Sequence, residues 1–203
     1  EVVDNGARLI GDLAEFADRE RFKSLDDVIV NRIDQLSPTS QLTLKVASVI
    51  GYEFEYPMLR DIFPLTKERS RLLDNLEHLD RGQLMKQSDS QTEIEYTFRH
   101  RTIRDVAYDG VLKKNRVELH RAIAEWINKN KADEIEAHYS LLAEHWLQAG
   151  YVHEAIECLT KAGRNALKSN ANLESARFYR KALALESTLG ERVDPIERAN
   201  WHR

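Results

Sequence analysis

The side chains best suited to chemistry gather in one stretch, Phe98-Arg99-His100-Arg101-Thr102-Ile103-Arg104-Asp105-Val106-Ala107-Tyr108. From Arg99 to Arg121 there are seven Lys or Arg against three acidic residues, and the basic ones begin where an alternating pattern gives way to a helical one. The start of a helix already attracts anions through backbone N–H groups that lack intrahelical acceptors. Arg99, His100 and Arg101 would add to that field, so a phosphate is the ligand this stretch could hold. The same residues also fit a purely structural reading. In that reading Arg101 and Asp105 form an i,i+4 ion pair, Phe98 and Ile103 enter the core, and His100 caps the junction.

Other chemistry finds less support. No glycine is followed by lysine and there is no G-x-G-x-x-G run, so the sequence lacks the phosphate-cradling loops of nucleotide-hydrolysing proteins. The expectation is a segment that does not hydrolyse ATP alone. His138 and His145, seven apart with Glu144 beside the second, are too few ligands for a zinc site. A Ser/His/Asp set cannot be chosen from sequence because its members meet only in space. The reading therefore assigns no catalytic residue and no metal.

The elements that must position the basic stretch follow from periodicity. Asn5-Gly6 between two apolar pairs suggests a small hairpin. Ser24 and Asp27 then open a helix carrying Val28, Ile29, Ile33 and Leu36. Ser37-Pro38 caps a second helix with Leu42, Leu44, Val46, Val49 and Ile50 on its buried side, up to Gly51. A short helix covers Pro57 to Phe63. A third long one is predicted from Thr66 to Arg81, with Gly82 as its stop. The period then switches to two at Ile94, Tyr96 and Phe98, which can pair with Leu84 to Lys86 across Ser88-Asp89-Ser90. Helices then follow from His100 to about Leu112 and from Asn115 to about Asn130, the second with Leu119, Ile123 and Trp126 inward.

Near the C-terminus, Ala149-Gly150, Glu154-Ala155 and Lys161-Ala162 recur twenty residues later as Ser169-Asn170, Glu174-Ser175 and Lys181-Ala182. Small residues at a fixed period let stacked helical hairpins approach closely. The predicted fold is mainly α: a winged helix with a small two-stranded β-wing, then helical hairpins resembling tetratricopeptide repeats. The boundaries expected are 1–36 for a hairpin and helix, 37–130 for the winged helix with two further helices, and 131–203 for the first repeats.

Composition agrees with this. The 203 residues are 42% hydrophobic and 32% charged with 8 Gly and 4 Pro, a helical profile. The longest apolar stretch, Val46 to Ile50, is far below the roughly 20 residues of a membrane span. One cysteine, Cys158, permits no internal disulfide, which suits a reducing compartment, and a cytoplasmic location is expected. The net charge of −4 argues against extensive wrapping of nucleic acid. Glu1 as first residue suggests a piece of a longer chain.

Ile33-Asp34-Gln35-Leu36-Ser37-Pro38 and Lys45-Val46-Ala47-Ser48-Val49-Ile50-Gly51-Tyr52-Glu53-Phe54 begin an ordered series of motifs. It continues through Tyr96-Thr97-Phe98-Arg99-His100, Arg104-Asp105-Val106-Ala107-Tyr108, Leu119-His120-Arg121 and Leu142-Ala143-Glu144-His145-Trp146. The series, over about residues 24 to 187, resembles the region after the nucleotide-binding core in STAND-type signalling ATPases, proteins often joined to adenylate or guanylate cyclase, kinase or transcription-regulator domains. The resemblance implies that residues 1–36 are a remnant of the ATPase lid, that the core and any effector lie upstream, and that the fragment itself is no enzyme. It implies no cofactor in the fragment and ATP or ADP in the full-length protein. By motif position, His100 would be the histidine that touches bound ADP and locks the closed state. Here it sits in Phe98-Arg99-His100-Arg101, where the best-known version reads methionine-histidine-aspartate. The implied partners are the upstream core of the same chain and an unidentified protein on the repeats, with no membrane.

The alternative function is a DNA-binding transcription regulator, whose third helix would enter the major groove. The predicted reading helix carries Lys67, Arg69, Arg71 and Arg81 against Glu68, Asp74, Glu77 and Asp80, and the ribbon adds Asp89, Glu93 and Glu95. That balance favours the regulatory module over nucleic acid.

Overall fold

The computed structural model describes residues 25–88 and 94–189. The hairpin expected at Asn5-Gly6 and the acidic ribbon tip at Asp89 and Glu93 lie outside them. The described chain is mainly helical, with one small antiparallel sheet. It divides into two compact units, Glu1–Val111 and Leu112–Arg203. Among the described residues no helix is long and apolar enough to cross a membrane.

In the first unit, residues 25–34 form α1. Ile29 and Ile33, one turn apart, are buried, whereas Val28, expected to face inward, is 54% exposed. α2 (Pro38–Ile50) starts as its sequence predicts: Ser37 Oγ accepts the backbone N–H of Ser40 at 3.1 Å, and proline occupies the first turn, where an N–H has no helical acceptor. Next come β1 (Glu53–Glu55), α3 (Tyr56–Ile62), a 3-10 turn (Thr66–Arg71) and α4 (Leu72–Arg81). β2 (Met85–Gln87), β3 (Glu95–Phe98) and α5 (Arg101–Asp109) complete the unit.

Three features differ from expectation. The single helix predicted from Thr66 to Arg81 is a 3-10 turn joined to an α-helix. No residue from Thr66 to Arg71 is buried, so nothing recruits that segment to the α-helical stripe. The Arg69 guanidinium instead donates to the carbonyls of Asp61 (2.7 Å) and Phe63 (3.1 Å) and holds the segment against the end of α3. Second, Gly82 stops α4 as expected, but the left-handed residue at this end is the next one, Gln83 (φ 54°). The Leu84 N–H reaches the Leu79 carbonyl at 3.0 Å, the bond that closes such an end. Third, the ribbon has a third strand. β1 pairs antiparallel with β3, giving the order β1-β3-β2, with Phe54 opposite Tyr96 and Met85 opposite Phe98. Three residues, Glu-Phe-Glu, are too short an alternation to announce a strand.

The core of this unit joins Leu44 and Val49 of α2, Leu72, Leu76 and Leu79 of α4, Phe98 of β3 and Ile103 of α5. Into it α4 sends a polar side chain, Asn75, 8% exposed, whose Nδ2 donates to Thr43 Oγ1 at 3.1 Å while its Oδ1 accepts from Ser40 Oγ at 3.4 Å. The paired amide thus fixes α4 against α2 without an orphaned polar group.

The second unit is a run of helices, α6 (Lys113–Asn130), α7 (Ile135–Gln148), α8 (Val152–Lys168) and α9 (Asn172–Leu189). Sequence periodicity groups α6 with the preceding unit; the structure places it here, because Ile123, Ala124 and Ile127 are buried and α6 packs on α7. The twenty-residue period is the length of one helix plus its turn. α7 ends at left-handed Gly150 (φ 84°) and α8 at left-handed Asn170 (φ 60°). The closing bonds correspond, Tyr151 N–H to the Trp146 carbonyl (2.9 Å) and Ala171 N–H to the Ala166 carbonyl (2.8 Å). The repeated small residues Ala155, Ser175, Ala162 and Ala182 are all buried.

Candidate functional site

β3 delivers Phe98, which is completely buried, and the chain leaves the sheet at Arg99. His100 is the N-cap of α5, with extended backbone (φ −142°, ψ 146°), an exposed side chain and no capping bond from its ring. Its carbonyl accepts from Ile103 N–H at 3.1 Å. The first turn of α5 has no acidic residue and begins with Arg101. Anionic side chains are what a helix N-terminus ordinarily recruits, so His100 and Arg101 leave this end with unanswered positive potential.

The three basic residues expected to act together have separate roles. Arg99 turns back into the fold: its Nε donates to the Met85 carbonyl at 3.1 Å and its Nη2 to Asp80 Oδ1 at 2.8 Å. It therefore ties β3 to β2 and to the end of α4, and its guanidinium is committed to those acceptors rather than to a ligand. Arg101 is exposed and lies over the ring of Tyr52, 5.2 Å from its centroid. Stacking restrains the guanidinium while leaving its in-plane N–H groups able to donate. The Arg101–Asp105 pair expected from i,i+4 spacing does not form; Asp105 bonds Arg104 Nη1 at 3.0 Å. Arg104 also donates through Nε to the Ser48 carbonyl at 2.9 Å and covers the Tyr108 ring at 4.9 Å, anchoring α5 on the end of α2. The accessible basic groups at the junction are thus His100 and Arg101, held between two internal arginine braces.

Tyr52 and Asp80 escaped the sequence reading as parts of this site. Tyr52 follows Gly51 inside a quoted motif, but its place beneath Arg101 depends on β1 joining the sheet. Asp80 lies in a different element from Arg99, and no periodicity links them.

In the second unit, the pairing considered for His138 and His145 is replaced by another. His145 faces His120 of α6, with Nδ1 atoms 2.8 Å apart and both rings buried. Among the described residues no three His, Cys, Asp or Glu side chains gather as metal ligands. A groove of about 610 Å³ runs over α7, α8 and α9, with Leu141, Leu147, Phe178 and Leu185 as its larger apolar walls and Glu144 and Lys181 as its charged ones. Cys158 is buried, and burial pushes its thiol up to about 11, far from the reactive range.

No family model matches the chain, and no solved structure matches it. It is similar to an uncharacterized protein, R02095, of Rhizobium meliloti (strain 1021), with 28% identity over 179 residues. The match takes in 88% of this chain and 17% of that protein, so the chain spans about a sixth of its relative's length.

Proposed function

We propose that this chain is a non-catalytic regulatory and interaction module of a larger nucleotide-dependent signalling ATPase of the STAND type, in which a winged helix senses nucleotide and tetratricopeptide-like repeats bind a partner. The observation that carries this reading is the α5 N-terminus, where exposed His100 and stacked Arg101 occupy a helix start with no acidic residue in its first turn. A phosphate of ADP held on an upstream core fits that end: His100 donates from its ring and Arg101 supplies a restrained cation. Arg99 serves as a brace rather than a ligand.

Further support comes from topology and relatives. Three helices, α2, α3 and α4, followed by the β2–β3 ribbon agree with a winged helix, and β1 on the far edge of β3 holds the ribbon to the helices. Corresponding left-handed turns at Gly150 and Asn170 agree with stacked repeats, whose groove over α7 to α9 is the surface for a protein partner. The match to a minor part of a much longer relative agrees with a module of a multidomain, cytoplasmic protein.

The DNA-binding reading ranks lower because three of the four cations on its predicted reading helix are engaged. Arg69 bonds backbone carbonyls, Arg71 lies 3.5 Å from Glu68, and Arg81 is paired with Glu77 at 2.8 Å. Phosphate contact needs cations free to release counterions.

The test is His100→Ala in the full-length protein. A charge-assisted hydrogen bond contributes about 1.5 to 3 kcal/mol, so ADP should leave roughly ten-fold to a hundred-fold more readily and output without stimulus should rise. Unchanged ADP release with a lowered melting temperature would assign His100 to structure.

A further inference from the structure

We infer that the groove over α7, α8 and α9 receives one face of an amphipathic helix, with two large apolar residues seven apart and an acidic and a basic residue side by side midway between them. This deepens, and rests on, the reading of that groove as a surface for a protein partner. Buried Leu159 of α8 lies at the base of the groove, with α7 and α9 on either side. Each connecting turn reverses the chain, so α7 and α9 run in the same direction. Along α7 the wall carries Leu141, Glu144 and Leu147; along α9 it carries Phe178, Lys181 and Leu185. Both walls are therefore apolar toward their ends and charged in the middle. At roughly 1.5 Å per residue the apolar ends are about 9 Å apart on α7 and about 10.5 Å apart on α9. Leu141 and Leu147 remain 38% and 37% exposed, and Phe178 and Leu185 are half-buried, so this concave face keeps apolar surface for a partner to cover.

An α-helix returns to the same face after seven residues, a rise of about 10.5 Å, so two apolar side chains at that spacing reach the two ends of the groove. The residues three and four positions after the first anchor flank the apolar stripe on opposite sides, midway between the anchors. They meet the two wall charges: an acid answers Lys181 and a base answers Glu144. Both wall charges are exposed, and among the described residues neither has an ion-pair or hydrogen-bond partner, so an incoming pair displaces no internal bond. An extended segment suits the groove less. Its backbone groups need donors and acceptors along their whole length, and the walls offer only Ser140 and Gln148 as neutral polar side chains. A helix arrives with its backbone already bonded.

The experiment is fluorescence anisotropy of short alanine-rich helical peptides titrated with the full chain. One probe carries the run Leu-Ala-Gln-Glu-Lys-Ala-Gln-Leu, and a second replaces its lysine by glutamate. Wild type should bind the mixed-charge probe about three-fold to ten-fold more tightly than the acidic one, and Glu144→Lys, at an exposed position, should reverse that order. Leu141→Ala/Leu147→Ala, which trims exposed side chains at both ends of the α7 wall, should weaken binding of the mixed probe about ten-fold. Equal binding of the two probes by wild type, or an unchanged order in Glu144→Lys, overturns the charge pairing; a loss of binding in the double alanine variant would then still support the groove as a protein surface. A third probe, with proline in the middle of the run, cannot stay helical. If it binds as tightly as the first, the helical partner is overturned and the protein surface stands. Absence of binding by all three at about 1 mM overturns both. Self-association of the chain in sedimentation, lost in the double alanine variant, gives the groove to a second copy and overturns the helical partner as well.

Discussion

Replacing Gly163 by alanine sets two effects of known size against each other. Gly163 lies inside α8 and is buried, and a Cβ built on it would meet Tyr179 of α9 at 2.9, 3.0 and 3.1 Å from three ring atoms. Its carbonyl also accepts a hydrogen bond from buried Ser175 Oγ at 2.9 Å, which fixes the two helices at this separation. Carbon atoms prefer about 3.5 to 4.0 Å, so the ring must retreat by roughly half an ångström or more. Overpacking of this kind costs about 1 to 3 kcal/mol. Against it, alanine gains about 0.8 to 1.0 kcal/mol over glycine in a helix interior. The sum is neutral to destabilising by about 2 kcal/mol in the wild-type background. Removing the ring by Tyr179→Leu should uncover the propensity gain, so Gly163→Ala becomes stabilising by up to about 1 kcal/mol there. Denaturant unfolding of the four proteins, followed by helical circular dichroism, gives the coupling energy directly. If alanine stabilises both backgrounds equally, the close approach of α8 and α9 at this point is refuted.

Two further outcomes follow from the same helices. Ala162→Leu, at a position 7% exposed, should cost about 1 to 3 kcal/mol by overpacking; a neutral result in the same unfolding assay would remove the role assigned to the repeated small residues. Cys158, raised to about 11 by burial, should resist alkylation in the native chain at pH 8 and react promptly once unfolded. Because the unfolded thiol ionises at lower pH than the folded one, its contribution to stability should be intact below about pH 8.5 and fall as pH rises toward 11, an effect absent in Cys158→Ala.

Much of the helical framework is legible in the sequence because the forces that make it are local. Ser37-Pro38 announces the start of α2 through a hydroxyl that reaches an N–H three residues on, and the backbone bond forms as expected. The alternation of Tyr96 and Phe98 reports a strand with a buried face, and both are buried. The twenty-residue recurrence of small residues reports helices that touch, since only small side chains let backbones approach. The candidate basic junction at His100 and Arg101 is visible for the same reason, as a composition change where one period gives way to another.

Partner choice belongs to the tertiary structure. Asp105 lies at the right spacing for Arg101 yet bonds Arg104, because Arg101 is drawn over Tyr52 once β1 joins the sheet. Arg99 finds Asp80, Asn75 finds Thr43, and His120 finds His145 across 19, 32 and 25 residues of chain. Periodicity records which face of a helix is buried, but it carries no record of which other face it is buried against. The approach of two buried histidine rings, like the diversion of an arginine from ligand to brace, depends on distances of about 3 Å that only the packed helices create.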